Sequence, residues 1–459
     1  MHRSVRLWTR GAGALAFGLV CSAFLATGES STPYLHTPLP LTPAAPLTPA
    51  ALLTAPIPDD TPNAALLRRG RYLVAVGDCM SCHLRDGGEP FAGGLRLETP
   101  FGVIYTPNIT SDRDTGIGAW SSEQFYRAMH DGIGSRGENL YPAFPYPAFR
   151  RATRADDDAI LAYLQSTPAV RYTAPKNALR FPFNLRVTVK FWNLLFLHSQ
   201  EWKSDPNQSA DWNRGAYLVE GLGHCGACHS PKNRLGAEEK SHELAGARLD
   251  NWVAPDLTGN ERTGLGSWSL ADIAEYLANG RNAHAGAGGE MGEVVTYSTA
   301  LMSGSDRQAI AAFLKSRPSS PTAGDATVHA GALLRGAAIY SDVCASCHLA
   351  DGVGQPRFFP PLGNNAMLQQ IDPTGLVHVI LAGARTGTSP SRPSPLSMPS
   401  FAWKLTDTEI ADVGTYLRNS WGNRASALTR EQVHSLRTAL DLETVHLTAN
   451  SGDRIESEN

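Results

Sequence analysis

Three copies of one pentapeptide carry the residues most able to do chemistry: Cys79-Met80-Ser81-Cys82-His83, Cys225-Gly226-Ala227-Cys228-His229 and Cys344-Ala345-Ser346-Cys347-His348. Two cysteines with two residues between them, followed at once by histidine, form the attachment pattern of c-type haem. The two thiols of a copy can add to the vinyl groups of one porphyrin, and the adjacent imidazole then lies under the iron. Three copies therefore predict three covalently bound haem c groups, with His83, His229 and His348 as axial ligands. A structural zinc site would need four Cys or His ligands in neighbouring pairs. Here the first cysteines are 146 and 119 residues apart, and each pair has its own histidine. A thioredoxin-like dithiol would want one CxxC beside a βαβ pattern, which the sequence lacks.

A low-spin, electron-carrying haem c commonly takes a methionine sulfur opposite the histidine. The chain has only seven methionines, so each can be weighed. Met398, in Ser397-Met398-Pro399, follows His348 by 50 residues, and the proline stiffens the loop that must present the sulfur. Met291 follows His229 by 62 residues behind the flexible approach Gly288-Gly289. Both are assigned as sixth ligands, and Met302 is read as core. The first copy differs. Its corresponding loop, Leu140-Tyr141-Pro142-Ala143-Phe144-Pro145-Tyr146, has a phenylalanine where a sulfur is expected. His130 ranks first as the substitute ligand, Met129 second, and an open or water-ligated iron third.

These residues need elements to hold them, and the elements repeat. Arg69-Gly70-Arg71-Tyr72-Leu73-Val74 matches Arg214-Gly215-Ala216-Tyr217-Leu218-Val219, with Arg335-Gly336-Ala337-Ala338-Ile339-Tyr340 a looser copy. Each reads as a helix delivering its end to the pentapeptide. Asp156 to Leu164, Asp306 to Leu314 and Thr408 to Leu417 show the three-and-four apolar spacing of closing helices. Repetition is thus of whole modules of about 100 residues. The first two also share Thr106-Pro107-Asn108-Ile109-Thr110 with Ala254-Pro255-Asp256-Leu257-Thr258, and Gly116-Ile117-Gly118-Ala119-Trp120 with Gly264-Leu265-Gly266-Ser267-Trp268. The third has Pro360-Pro361-Leu362-Gly363-Asn364 instead. These loops are expected to supply apolar contact and N–H donors along a haem edge.

At 459 residues the chain suggests two to four domains, and its net charge of −3 gives no field pointing to nucleic acid. Six of the seven cysteines sit in the pentapeptides and the seventh, Cys21, in the leader, leaving no thiol for a structural disulfide. Residues 1–27 combine Arg3, Arg6 and Arg10 with the apolar run Ala12 to Ala26, which reads as a secretory signal peptide. Haem c is attached outside the bacterial inner membrane, so the expected compartment is the periplasm. Residues 31–62 hold nine prolines and are expected to form an extended tether. The stretch Phe191-Trp192-Asn193-Leu194-Leu195-Phe196-Leu197 is too short to span a bilayer. It reads as a connector helix, with a partner-subunit or membrane-interface surface as the alternative. Beyond Trp421 the chain is polar and expected to fray.

The three CxxCH modules, Gly116-Ile117-Gly118-Ala119-Trp120, Leu140-Tyr141-Pro142-Ala143 and Trp212-Asn213-Arg214-Gly215-Ala216-Tyr217 together resemble the triheme cytochrome c subunits of bacterial membrane-bound alcohol, gluconate and sorbitol dehydrogenases. The resemblance runs from about Ala64 to Trp421. It implies an all-α chain of three tandem class I cytochrome c domains, at 64–170, 209–319 and 330–422. A Pro-rich linker (28–63), a connector (171–208) and a polar tail (423–459) complete it. It also implies a separate catalytic subunit of flavin, quinoprotein or molybdenum type as donor, ubiquinone or a terminal oxidase as acceptor, and association with the inner membrane. Phe144 departs from the family's Met in that loop, and the Phe form resembles cytochromes accompanying molybdenum hydroxylases. No Ser/His/Asp arrangement, phosphate loop or nicotinamide fingerprint is present, so no substrate-oxidising site is expected in this chain. The alternatives are a free periplasmic electron shuttle, or a peroxidase or gas-binding protein using an open first haem.

Overall fold

The computed structural model describes residues 48–198, 202–321 and 328–443. The expected signal peptide, most of the expected linker and the last residues of the tail lie outside them. The described chain is largely helical, and the same two-helix crossing occurs three times. Lead helices Ala64–Val76, Ala210–Tyr217 and Ala330–Ile339 pack on closing helices Arg154–Ser166, Gly304–Lys315 and Asp407–Leu417 respectively.

The repeated Arg-Gly step explains that crossing. A Cβ on Gly70 would stand 1.9 Å from the Ala159 carbonyl oxygen, one on Gly215 2.0 Å from that of Ala309, and one on Gly336 2.3 Å from that of Asp412. Only glycine lets the two backbones touch. The arginine beside it then reaches an aspartate of the closing helix, in its first turn in the first two repeats and at mid-helix in the third. Arg69 Nε donates to Asp156 Oδ1 at 2.9 Å, Arg214 Nε to Asp306 Oδ1 at 2.8 Å, and Arg335 Nε to Asp412 Oδ2 at 2.6 Å. One dipeptide thus sets both the approach and the register of each helix pair.

The repeats are not equivalent in how they associate. A single hydrophobic core runs through the first two, from Leu52 to Leu314, while the third has its own, from Tyr340 to Leu436. The first two also exchange tyrosines. The Tyr72 hydroxyl donates to Asp306 Oδ2 at 2.5 Å, and the Tyr217 hydroxyl donates to Asp156 Oδ2 at 2.6 Å. The corresponding residue of the third repeat is Ala338, which has no hydroxyl to exchange.

Three details depart from the sequence reading. Short antiparallel pairings punctuate the helices: Arg96–Thr99 with Gly102–Tyr105, Ala247–Leu249 with Trp252–Ala254, and Ala384–Arg385 with Ser397–Met398. The end of the expected tether, Pro49–Thr54, is a helix with Leu52 and Leu53 buried in the first repeat. Its proline stands in the first turn, where the missing N–H breaks no bond, and Thr48 caps it. The polar tail also orders as far as residue 443. Thr429 and Gln432 form a capping box for helix Arg430–Ala439, which buries Val433 and Leu436. Arg437 is buried there because Asp407 and the carbonyls of Ala402, Leu405 and Glu443 take its N–H groups. A residue counted as polar in the sequence is the anchor of the tail.

Candidate haem sites

Each pentapeptide follows its lead helix, and each histidine is oriented in the same way. His83 Nδ1 lies 2.7 Å from the Pro107 carbonyl oxygen, His229 Nδ1 2.7 Å from that of Pro255, and His348 Nδ1 3.1 Å from that of Pro360. A carbonyl can only accept, so Nδ1 carries the proton and Nε2 keeps a free lone pair. That is the state an imidazole needs to bind a metal, with the second hydrogen bond fixing tautomer and ring plane. Burial reinforces it by pulling His83 down to about 4 and lowering His229 and His348. The proline loops therefore do more than line a haem edge. Their carbonyls aim the ligands, a role signalled in the sequence only by the recurrence of a proline after each CxxCH, 24, 26 and 12 residues beyond His83, His229 and His348.

The loops that carry these carbonyls are themselves fixed by their sequence. Asn108 Oδ1 accepts from the Thr110 amide at 2.9 Å, and Asp256 Oδ1 accepts from the Thr258 amide at 2.7 Å. These are the same side-chain-to-backbone turn built from Asn in one copy and Asp in the other. All four side chains are buried.

The cysteines fit attachment and do not fit dithiol chemistry. All six are free of disulfides. Burial pushes Cys79, Cys82 and Cys225 up to about 12, and Cys228 and Cys344 to about 11. A redox-active CxxC needs the opposite shift. Yet Cys82, Cys228 and Cys347 remain accessible by surface area. One accessible sulfur in each pair suits addition to a bulky porphyrin. No cluster of His, Cys, Asp or Glu suited to a bare metal ion occurs among the described residues.

The sites also have an order in space. The Cys79–Cys82 turn packs against helix Glu290–Tyr297, which carries Met291. Cys82 and Cys228 are close enough for the second thiol to raise the first, after burial and Asp78. The third repeat meets the second through the strand segment leading to Met398. The Gly387 amide donates to the Ala287 carbonyl at 3.3 Å and the Thr388 amide to Thr296 Oγ1 at 2.9 Å. A Cβ on Gly387 would lie 2.2 Å from the Gly292 carbonyl oxygen. The second site is therefore in the middle, joined to the first at the thioether turns and to the third at the methionine loops.

Met291 is half-buried and packs on the shared core, and Met398 is half-buried on its strand opposite Ala384. In the first repeat the first-ranked residue is turned elsewhere. His130 Nε2 is 2.8 Å from Asp157 Oδ2, and its ring stacks on Tyr126 at 3.9 Å between centroids. Met129 is core, 5% exposed. Phe144 stays within an aromatic group, 5.4 Å from the Phe149 ring, and Phe149 in turn meets the His224 ring at 5.2 Å. The sequence does not reveal that a buried carboxylate, Asp157, holds the His130 nitrogen.

Covalent haem attachment by three His-bearing turns is the mark of a c-type cytochrome. The cytochrome c family model matches residues 67–168, 213–318 and 333–421, and the chain belongs to that family. It is 44% identical over 368 residues to a nicotinate dehydrogenase chain of Pseudomonas putida, covering 78% of this chain but only 30% of that protein. It is 38% identical to the gluconate 2-dehydrogenase cytochrome c subunit of Pantoea cypripedii, covering 83% of this chain and 92% of that one. The same identity holds to the cytochrome c subunit of the quinone alcohol dehydrogenase of Gluconobacter oxydans, over 82% of each chain.

Proposed function

We propose that the chain is the electron-transfer subunit of a periplasmic dehydrogenase, built as three tandem class I cytochrome c domains. It takes electrons from a separate catalytic subunit and delivers them to ubiquinone or a terminal oxidase at the inner membrane. Haem c, when bound, supplies one-electron carriage through its iron. The chain's part is to hold it by the three cysteine pairs, present His Nε2 and the Met291 and Met398 sulfurs, and keep water away. The observation that carries this reading is the threefold His-to-Pro carbonyl bond, which makes each imidazole a ready metal ligand. The relatives named as dehydrogenase cytochrome subunits supply the partner. Gentle detergent extraction of the native protein tests it: a dehydrogenase subunit should co-purify, and a chain recovered alone favours a free shuttle.

Replacing Met398 with alanine should lower the third site's potential by on the order of 0.1 V, within the about 0.8 V range that axial ligands command. A redox titration that resolves three components checks this. An unchanged titration removes Met398 from the ligand set.

A second reading concerns the first repeat alone. With Phe144 in the ligand loop, His130 held by Asp157 and Met129 in the core, an open coordination position is favoured there over His130. Ferrous protein should then bind one equivalent of carbon monoxide, and Phe144→Met should abolish that binding. Absence of binding in the parent protein rejects the open position.

A further inference from the structure

The connector helix Val187–Phe196 is held on one face and bare on the other. Val189 is buried, Trp192 Nε1 donates to the Leu235 carbonyl at 2.9 Å, and Asn193 Oδ1 accepts from the Tyr146 hydroxyl at 2.6 Å. These bonds tie the helix to both the first and second repeats, so it is not a loose strap. Its opposite face carries Val187, Phe191, Leu194 and Leu195, spaced at three and four positions, and Phe181 and Leu185 extend the ridge. Phe191 is 65% exposed, Leu194 80% and Phe181 78%. Scattered apolar residues on a surface are ordinary, but a continuous ridge of this kind marks an interaction site.

The charge around the ridge selects the partner. Between residues 159 and 198 there is no Asp or Glu, although the chain as a whole is slightly acidic. Arg171, Lys176, Arg180, Arg186 and Lys190 all fall in this stretch and all are exposed; Arg171 pairs with Asp114 at 3.2 Å, so Lys176, Arg180 and Lys190 carry most of the field. Lys190 lies within the ridge itself, where its methylene stem can follow apolar surface while the cation reaches outward; Arg186 beside it donates to the Asn139 carbonyl and lies over the Tyr141 ring. Ten residues make a helix of about 15 Å, half the thickness of a hydrocarbon core. No helix among the described residues is long and apolar enough to cross a membrane.

We infer that this ridge lies in the headgroup layer of an anionic lipid surface, with Phe181, Leu185, Phe191, Leu194 and Leu195 dipping toward the acyl chains and the basic rim paired with lipid phosphates. An apolar face on one side and Lys/Arg around it is the pattern of an interfacial helix. It seats the first two repeats directly on the membrane. The inference needs the haem-loaded chain but not its electron donor, so it can fail without affecting the proposed function.

Flotation of the intact holo-cytochrome tests it, using vesicles of phosphatidylethanolamine with phosphatidylglycerol and, separately, of phosphatidylcholine. The wild type should float with the anionic vesicles. Phe191→Ser with Leu194→Ser should reduce partitioning roughly a hundredfold, about tenfold for each large side chain withdrawn from the interface, with the haem spectrum unchanged. Lys176→Gln with Lys190→Gln should erase the preference for anionic over phosphatidylcholine vesicles. Equal flotation of the double serine variant overturns the inference, as does a wild type that stays unbound. A serine variant that still floats but loses a co-purifying dehydrogenase subunit also overturns it, and assigns the ridge to protein.

Discussion

A His229→Ala variant is expected to lose the low-spin signal of the second haem while its Cys225 and Cys228 thioether links still form. The two functions separate because the cysteines and the histidine are held by different parts of the site. Removing the imidazole takes away the Nε2 donor and leaves the half-buried Pro255 carbonyl without its 2.7 Å partner, a cost of about 1 kcal/mol. Electron paramagnetic resonance with a haem count on the denatured protein reads both quantities. The control is close in sequence. His224→Ala, five residues earlier, removes a ring whose Nδ1 faces the Leu222 carbonyl at 2.8 Å and whose edge meets Phe149. That variant should keep the low-spin signal of the second haem. If the two variants behave alike, or if His229→Ala stays fully low-spin, the axial assignment at the second site is wrong.

The candidate attachment turns were legible because a CxxCH pattern is local. Two thiols and an imidazole on one helical turn need no distant residue to be recognised, and the lead and closing helices announced themselves by apolar spacing. What escaped the sequence was long-range. His130 is an equally good ligand on paper, and only the fold supplies Asp157 27 residues away to hold its Nε2. Pro107, Pro255 and Pro360 were visible as recurring residues, but their function lies in a backbone carbonyl, which every residue possesses. Arg437 and Leu436 read as part of a polar tail because a guanidinium is counted as polar wherever it is. Four acceptors converging on it make it a buried anchor. Helix Pro49–Thr54 was hidden by its proline content, although proline in a first turn starts helices as well as ending them.

The strongest structural effect should come from Asp306→Ala, and its reach should show how the three repeats are coupled. Asp306 is the acceptor of two elements at once: Arg214 of its own repeat, through two bonds at 2.8 and 2.7 Å, and Tyr72 of the first repeat at 2.5 Å. Burial alone would raise its pKa, but the hydrogen bonds from Arg214 and Tyr72 together hold it below 3.8. Breaking a buried ion pair costs about 3–5 kcal/mol, and because the Arg214 side chain is 38% exposed the cost here is discounted to about 2–3 kcal/mol. The loss should fall on the first and second repeats together, since one core and two exchanged tyrosines join them. Asp412→Ala, which removes only Arg335's partner, should destabilise the third repeat alone. Calorimetry of the holo-protein should then show two transitions whose midpoints move independently, one for each core. The sign with pH follows from the depressed pKa. The contribution of Asp306 is present above its unfolded value and is lost as pH falls through the folded one, so wild type and Asp306→Ala should converge in acid. A single transition shifted equally by both variants would mean that the third repeat shares the cooperative unit, against the separation of its core.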